Sequence, residues 1–393
     1  MIRRPPRSTP SNSSAASDVY KRQPSIFLSA PDESMIFVVL PTQKMVDQGR
    51  GYEASVVTGF GSVLGAIFIV AITPLAIHFL PTVKRLLMPH LFWILGAVSV
   101  YLLMSEWPKS HDRGKTGWQR FKQAWKGLLA GIATFFAAGI LGFIIFTRNP
   151  MPPERSFQSL LPVFVGLFAV PWVLMNIFSK RKIPKQHISR SLDMSLSSNI
   201  MSMAAGGFGG LLASTFPILT AGVGGLLAGQ AVAAKDNRVF VASQGVSKTV
   251  YYVGAFLFFL LPGAGLGKGG RVAMMRPFYM PTHPREFFLG LAVLIFAIFL
   301  GFMLLFVYTR FMIWLLSKVS FQLLSFITLF ILIGIVYGMT GLFGILTCTA
   351  ATAIGLMPPL FGSRRLNCMG ALLFPVTINM AGLGPKLARL MGL

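Results

Sequence analysis

The sequence predicts an all-α, polytopic integral membrane protein, and three observations predict it. From residue 54 to the C-terminus the chain is a series of long apolar runs, and 54% of all residues are apolar. The six acids in that stretch (Glu106, Asp112, Glu154, Asp193, Asp236 and Glu286) sit in polar connections, and none follows Glu286. Lys and Arg outnumber the acids 35 to 11, a formal charge of +24, and they collect in short loops between the runs. Soluble helices scatter acids over their exposed faces; charge confined to the gaps marks runs that touch lipid. The same distribution excludes nucleic acid as the partner of the basic residues, which instead orient loops against the bilayer of a cell membrane.

The elements follow in order. Residues 1–23 have no apolar period and no signal-peptide core, and are set aside as translated sequencing-adapter read-through or a disordered tail. Residues 24–192 then form the remainder of a first transmembrane half, and 193–393 a second. A first span is expected over 54–80, interrupted at Pro74, and another over 86–104 after a tight turn at Pro81. Residues 127–146 make a clean span, while 160–178 carries Pro162 and Pro171 and should be kinked or broken. Each is close to the ~20 residues a helix needs to cross the hydrocarbon core. The connections 105–126 and 179–190 are heavily basic and 147–159 is not, which puts the first two in the cytoplasm.

Residues 199–234 read differently. They are apolar but Gly-rich, with Ser214, Thr215, Phe216 and Pro217 between two glycine clusters. Glycine and proline weaken a continuous helix, so two half-helices meeting near 214–217 are expected, as a broken span or a re-entrant hairpin. Gly206 and Gly210, and Gly225 and Gly229, stand one helical turn apart and allow close helix contact. Further on, 250–261 is short for a crossing, and 287–309 and 321–337 are ordinary spans, with 311–317 a turn or an extension of one. Residues 342–360 are again irregular, with Thr347, Thr349, Thr352 and the pair Pro358–Pro359; a last apolar stretch covers 369–383.

Catalytic chemistry is not visible. His78 and His90 have no carboxylate beside them, and Cys348 and Cys368 offer neither a disulfide framework nor metal-ligand spacing. GAGLGKGG at 263–270 has Pro262 in place of the first glycine of a phosphate loop and Gly269 where Ser or Thr must reach magnesium. The chain is therefore expected not to be an enzyme and to hold no cofactor. Broken apolar segments dotted with hydroxyls suggest binding instead. Half-helix N-termini aim positive dipoles into the membrane, and unwound carbonyls hold a cation. With no buried carboxylate, sodium held by carbonyls and hydroxyls is a more natural coupling ion than a proton. The candidates are Ser214, Thr215, Pro217 and Thr220 at the first broken segment, Thr349 and Thr352 at the second, and Ser243, Gln244 and Ser247 with less weight. Two other classes stay open: a membrane scaffold that transports nothing, and an intramembrane transferase whose catalytic residues lie upstream of this chain.

PSIFLSAPDES at 24–34, LPTQKMVDQGRGYEA at 40–54, FVASQGVSK at 240–248 and TAIGLMPPLFGSRRLNCMGALLFP at 352–375 resemble, in order, blocks of the large permease subunit of tripartite tricarboxylate transporters, in its archaeal-type branch. The likeness runs from Pro24 to near Leu383, and RGYEA and TAIGLMPPL…RR…MG are its most specific pieces. The chain departs from the family where Ile218 follows the hairpin Pro217 in place of glycine, and where Thr42–Gln43 replaces a Gly-His pair. The resemblance implies inverted-topology halves, uptake of di- or tricarboxylates such as citrate, and cation coupling. As partners it implies a small membrane subunit and an extracytoplasmic binding protein, although archaeal-type members are often found without them. It also implies that a first hairpin lies upstream of Pro24.

Overall fold

The computed structural model describes residues 22–23, 25–28, 35, 37–104, 117–152, 158–179, 183–189, 192, 194–215, 220–233, 236–259 and 283–393, and all of its regular structure is helical. Twelve helices are followed here: α1 (Val39–Asp47), α2 (Gly51–Leu87), α3 (Leu91–Met104), α4 (Gly117–Thr147), α5 (Leu160–Phe178), α6 (Leu196–Thr215), α7 (Ala221–Ala233), α8 (Asn237–Phe259), α9 (Pro284–Lys318), α10 (Phe321–Phe361), α11 (Gly370–Met380) and α12 (Gly384–Leu390). Among the described residues, five stretches are long and apolar enough to cross a membrane, within α2, α4, α5, α9 and α10. The described residues fall into two compact units, one from 1–82 with 182–320 and one from 83–181 with 321–393.

Proline breaks fewer helices here than the sequence suggests. The expected turn at Pro81 is absent: α2 runs as one helix through Pro74 and Pro81 to Leu87, and the break comes at the tight turn Met88–His90. Each proline deletes one backbone donor, a loss that membrane helices absorb when neighbouring groups take up the freed carbonyl. In α5 the proline effect is local: residues Val165–Ala169 widen into a π-turn just before Pro171, within an otherwise continuous helix. Gly355 of α10 lies against the Leu167 carbonyl, the one that Pro171 leaves without its i+4 donor. Residues 311–317, open between turn and extension, extend α9 to Lys318. Glu286 stands in the first turn of α9 rather than in a connection, where a helix favours negative charge.

In the first unit, α8 is the centre. Every residue from Val239 to Val250 is buried. Gly61 of α2 and Gly245 of α8 bring those two backbones together, and Leu64, Phe68, Val246, Val250, Leu257 and Leu291 fill the space between α2, α8 and α9.

In the second unit, Phe321–Phe361 spans 41 residues with one non-helical residue inside, Gly341 at φ 71° and ψ −160°. A straight helix of that length is about 60 Å long, twice the hydrocarbon thickness. Its two ends, however, meet the same end of α5. Gln322 Nε2 donates to the Ser179 carbonyl (3.1 Å), while Arg365, just past the other end, stacks on Trp172. Val336 Cγ1 also lies 3.6 Å from where a Cβ on Gly344 would sit, a pair that straight helix would hold about 12 Å apart. The chain doubles back at Gly341, giving two arms of bilayer length, 321–340 and 342–361. The irregularity expected over 342–360 thus sits one residue ahead of that range, and Pro358–Pro359 are carried inside the second arm. The helices α11 and α12 follow with a bend of 112°.

Candidate functional site

Helices α6, α7 and α8 form the polar heart of the first unit. Helix α6 ends at Thr215 and α7 begins at Ala221, and α7 folds back along α6 so closely that a Cβ on Gly224 would overlap the Gly209 carbonyl oxygen. Small residues permit such contact where helices pack without a hydrophobic driving force. Gly206 and Gly210 of α6 meet Ser243 and Ser247 of α8, so α6 and α8 run parallel. Gly225 and Gly229 of α7 both meet Gln244, and Ser247 Oγ donates to the Ala221 carbonyl (3.0 Å), so α7 runs opposite to α8. Pro217 lies outside the described residues, as does the segment 263–270.

Unlike Ser247, the other candidate hydroxyls of this triple are bonded within their own helices. Ser214 Oγ and Thr215 Oγ1 each donate to the Leu211 carbonyl (2.9 Å), and Ser243 Oγ to the Phe240 carbonyl (2.7 Å). Thr220 caps α7: its Oγ1 accepts from the Val223 N–H (3.4 Å) and its carbonyl from the Gly224 N–H (3.1 Å). A hydroxyl that donates to its own helix presents only lone pairs outward, which suits a cation better than an anion. Thr349 and Thr352 belong to the second unit. They too are back-bonded, to the Ile345 (2.9 Å) and Cys348 (2.7 Å) carbonyls, on helical rather than unwound backbone.

Gln244 is different. It is 1% exposed, its amide lies against Gly225 and Gly229, and neither Oε1 nor Nε2 has a hydrogen-bond partner. A buried amide left this way costs about 1–3 kcal/mol. One turn along the same face stands Lys248, also 1% exposed, at the midpoint of α8. Because Ser247 touches Ala221, Lys248 is level with the first turn of α7, where the helix dipole favours negative charge. Lys248 was not among the sequence candidates. Reading 250–261 as a short segment cut α8 in half and left the lysine outside it; read as one helix over 237–259, it falls at the centre.

Two further polar clusters lie in this unit. Glu53 is held by Arg50 through two contacts of 2.8 Å and by Arg238 Nε (2.8 Å), which ties the start of α2 to the start of α8 and explains the RGYEA block in physical terms. The hydrogen bonds that Arg50 donates to Glu53 raise its already high pKa. Ser55 and Thr309 bond each other (2.8 Å), and Gln23 Nε2 donates to both (2.7 and 2.8 Å), while Arg22 donates to the Thr58 carbonyl and to Ser62. All six of these side chains are buried. Arg22 and Gln23, the last residues of the stretch set aside from the sequence, are thus placed in the packed interior.

His78 Nδ1 pairs with the Pro74 carbonyl of its own helix (2.9 Å), and both cysteines are free and buried. Among the described residues no three of His, Cys, Asp and Glu gather as metal ligands.

Long apolar helices, a hairpin of glycine-rich helices and buried polar groups at its tip define a multi-pass membrane protein of transporter type. The sequence profile described as the Tripartite tricarboxylate transporter TctA family matches residues 15–370, and the chain belongs to that family, which is one of transporters rather than enzymes. It is 23% identical over 367 residues to "Uncharacterized protein MJ1079" of Methanocaldococcus jannaschii, covering 90% of this chain and 83% of that protein. No solved structure matches the chain.

Proposed function

We propose that the chain is the permease of a secondary transporter, of the archaeal-type branch, that carries a di- or tricarboxylate across the cytoplasmic membrane together with sodium. The observation that carries this reading is Lys248, a cation buried at mid-helix and level with the N-terminal turn of α7. The anion's carboxylates would take donors from Lys248, from Gln244 Nε2 and from the start of α7. Sodium would take the outward lone pairs of Ser214, Thr215 and Ser243, together with backbone carbonyls. This division of labour follows from which groups donate and which accept. Thr349 and Thr352 offer the same lone pairs in the second unit. A small membrane subunit and an extracytoplasmic binding protein remain proposed partners.

The test is uptake of labelled di- and tricarboxylates into proteoliposomes, with sodium and proton gradients imposed separately. Sodium-driven uptake of one carboxylate is expected, with Lys248→Gln weakening its apparent affinity by at least about tenfold, or ~1.4 kcal/mol. Lys248→Arg should retain part of it. Uptake that ignores sodium and collapses with the proton gradient would sink the coupling assignment. Unchanged affinity in Lys248→Gln would remove Lys248 from the site. A folded protein that responds to no ligand would point to the scaffold class.

A further inference from the structure

The second unit holds a guanidinium without a counter-ion. Arg365 follows α10 in the short turn Arg365–Met369. Its guanidinium carbon Cζ lies over the Trp172 ring, 3.3 Å from the centroid, and Nη2 donates to Met175 Sδ at 3.4 Å. Its Nη1 and, two residues earlier, Ser363 Oγ are shut off from water and neither has a hydrogen-bond partner. Among the described residues of this unit there is no Asp or Glu, and the sequence has none after Glu286. Thioether and ring face satisfy a guanidinium poorly; leaving a charged donor buried without an acceptor is among the costliest arrangements a protein tolerates. What is missing is an oxyanion, and Arg is the side chain whose planar fork fits one.

Position identifies the source. Trp172 is six residues from the end of α5 at Phe178, about 9 Å along the helix. That end leads into the basic connection 179–190. The same end of the unit carries Lys126, whose Nζ sits 5.3 Å from the Phe361 ring centroid, and the exposed Trp118, Trp125 and Arg364. Lysines, arginines and tryptophans gathered at one end of a helix bundle mark the headgroup level of the cytoplasmic leaflet, where anionic lipids concentrate. Arg365 as a residue is only half-buried and lies in the short turn past α10, so a phosphate reaches the shielded Nη1 by a side-chain shift there rather than by unpacking the core.

The geometry points to a phosphate-binding site for an anionic phospholipid, formed by Arg365 and Ser363 and flanked by Lys126 and Arg364. It lies in a different unit from Lys248 and owes nothing to the substrate reading.

The experiment is the melting midpoint of the full-length protein in neutral detergent, with phosphatidylglycerol, phosphatidylcholine or inorganic phosphate added at equal phosphate concentration. A ligand that binds the native state raises the midpoint by mass action. Phosphatidylglycerol is expected to raise it in the parent protein and in Arg389→Gln, a control that removes an exposed cation elsewhere in the same unit. The shift should shrink in Ser363→Ala and Arg365→Lys and disappear in Arg365→Gln, and the other two additives should give none. Should Arg365→Gln fail to fold, Ser363→Ala carries the test. A full phosphatidylglycerol shift in whichever of these variants folds overturns the site. An equal shift with inorganic phosphate overturns the lipid assignment in favour of a soluble oxyanion.

Discussion

At Gly224 a single hydrogen atom stands where a methyl group would meet the Gly209 carbonyl, whereas around Gly334 there is nothing within 4 Å. The same substitution should therefore have opposite consequences. Gly224→Ala overpacks the α6–α7 contact and is expected to cost about 1–3 kcal/mol, lowering the melting midpoint. Gly334→Ala relieves helix glycine at an exposed position and should be neutral or stabilising by up to ~1 kcal/mol. Equal effects in a thermal melt would contradict the packing described. The sequence made the glycine pairs legible because regular spacing marks a helix face, and Gly225 and Gly229 do share one, the face that receives Gln244. It did not show that the amide opposite them is unbonded, since that depends on what the other helices bring.

At the level of the element, α10 turns on one residue. Gly341 adopts φ 71° and ψ −160°, a conformation that only glycine reaches without strain. Gly341→Ala is expected to cost about 1–3 kcal/mol and to lower the melting midpoint, while Gly338→Ala three residues before it, with open space around its Cβ, should not. A parent-like midpoint for Gly341→Ala would mean the reversal lies elsewhere. The sequence placed irregularity in this region on the strength of the threonines and Pro358–Pro359, and both are in fact helical. Three glycines stand in GMTGLFG at 338–344, and local propensity does not say which of them leaves the helix. Packing decides: Val336 and Thr340 close on Gly344 across the turn. The same limitation misplaced the boundary after Pro81, where α2 simply continues.

For the molecule as a whole, the second unit has a basic end and a plain one. Lys126, Ser179, Gln322 and Arg365 gather at the first; Arg148, Leu160 and Gly341 belong to the other ends of the same helices. Single cysteines introduced at Gln322 and Gly362 should react with a membrane-impermeant maleimide only from the cytoplasmic face, and one at Asn149 only from the opposite face. Labelling of 322 and 149 from one side would refute the arrangement. Loop charge alone suggests this orientation up to residue 190, and the labelling tests it. Beyond Asp193 the side of the basic stretch with Lys268, Arg271, Arg276 and Arg285 depends on how the segment 199–234 is drawn, so loop charge alone orients nothing there.

The polar middle of α8 has a bearing on how the protein is made. A helix with a lysine at its centre, and Gln244, Ser243 and Ser247 around it, is opposed by about 2.5–3.5 kcal/mol for the lysine alone when a translocon presents it singly to lipid. The two helices synthesised immediately before it are among its partners in the folded state. Biogenesis should therefore treat α6, α7 and α8 as one consignment, held at the protein-conducting channel until the third arrives and released sideways together.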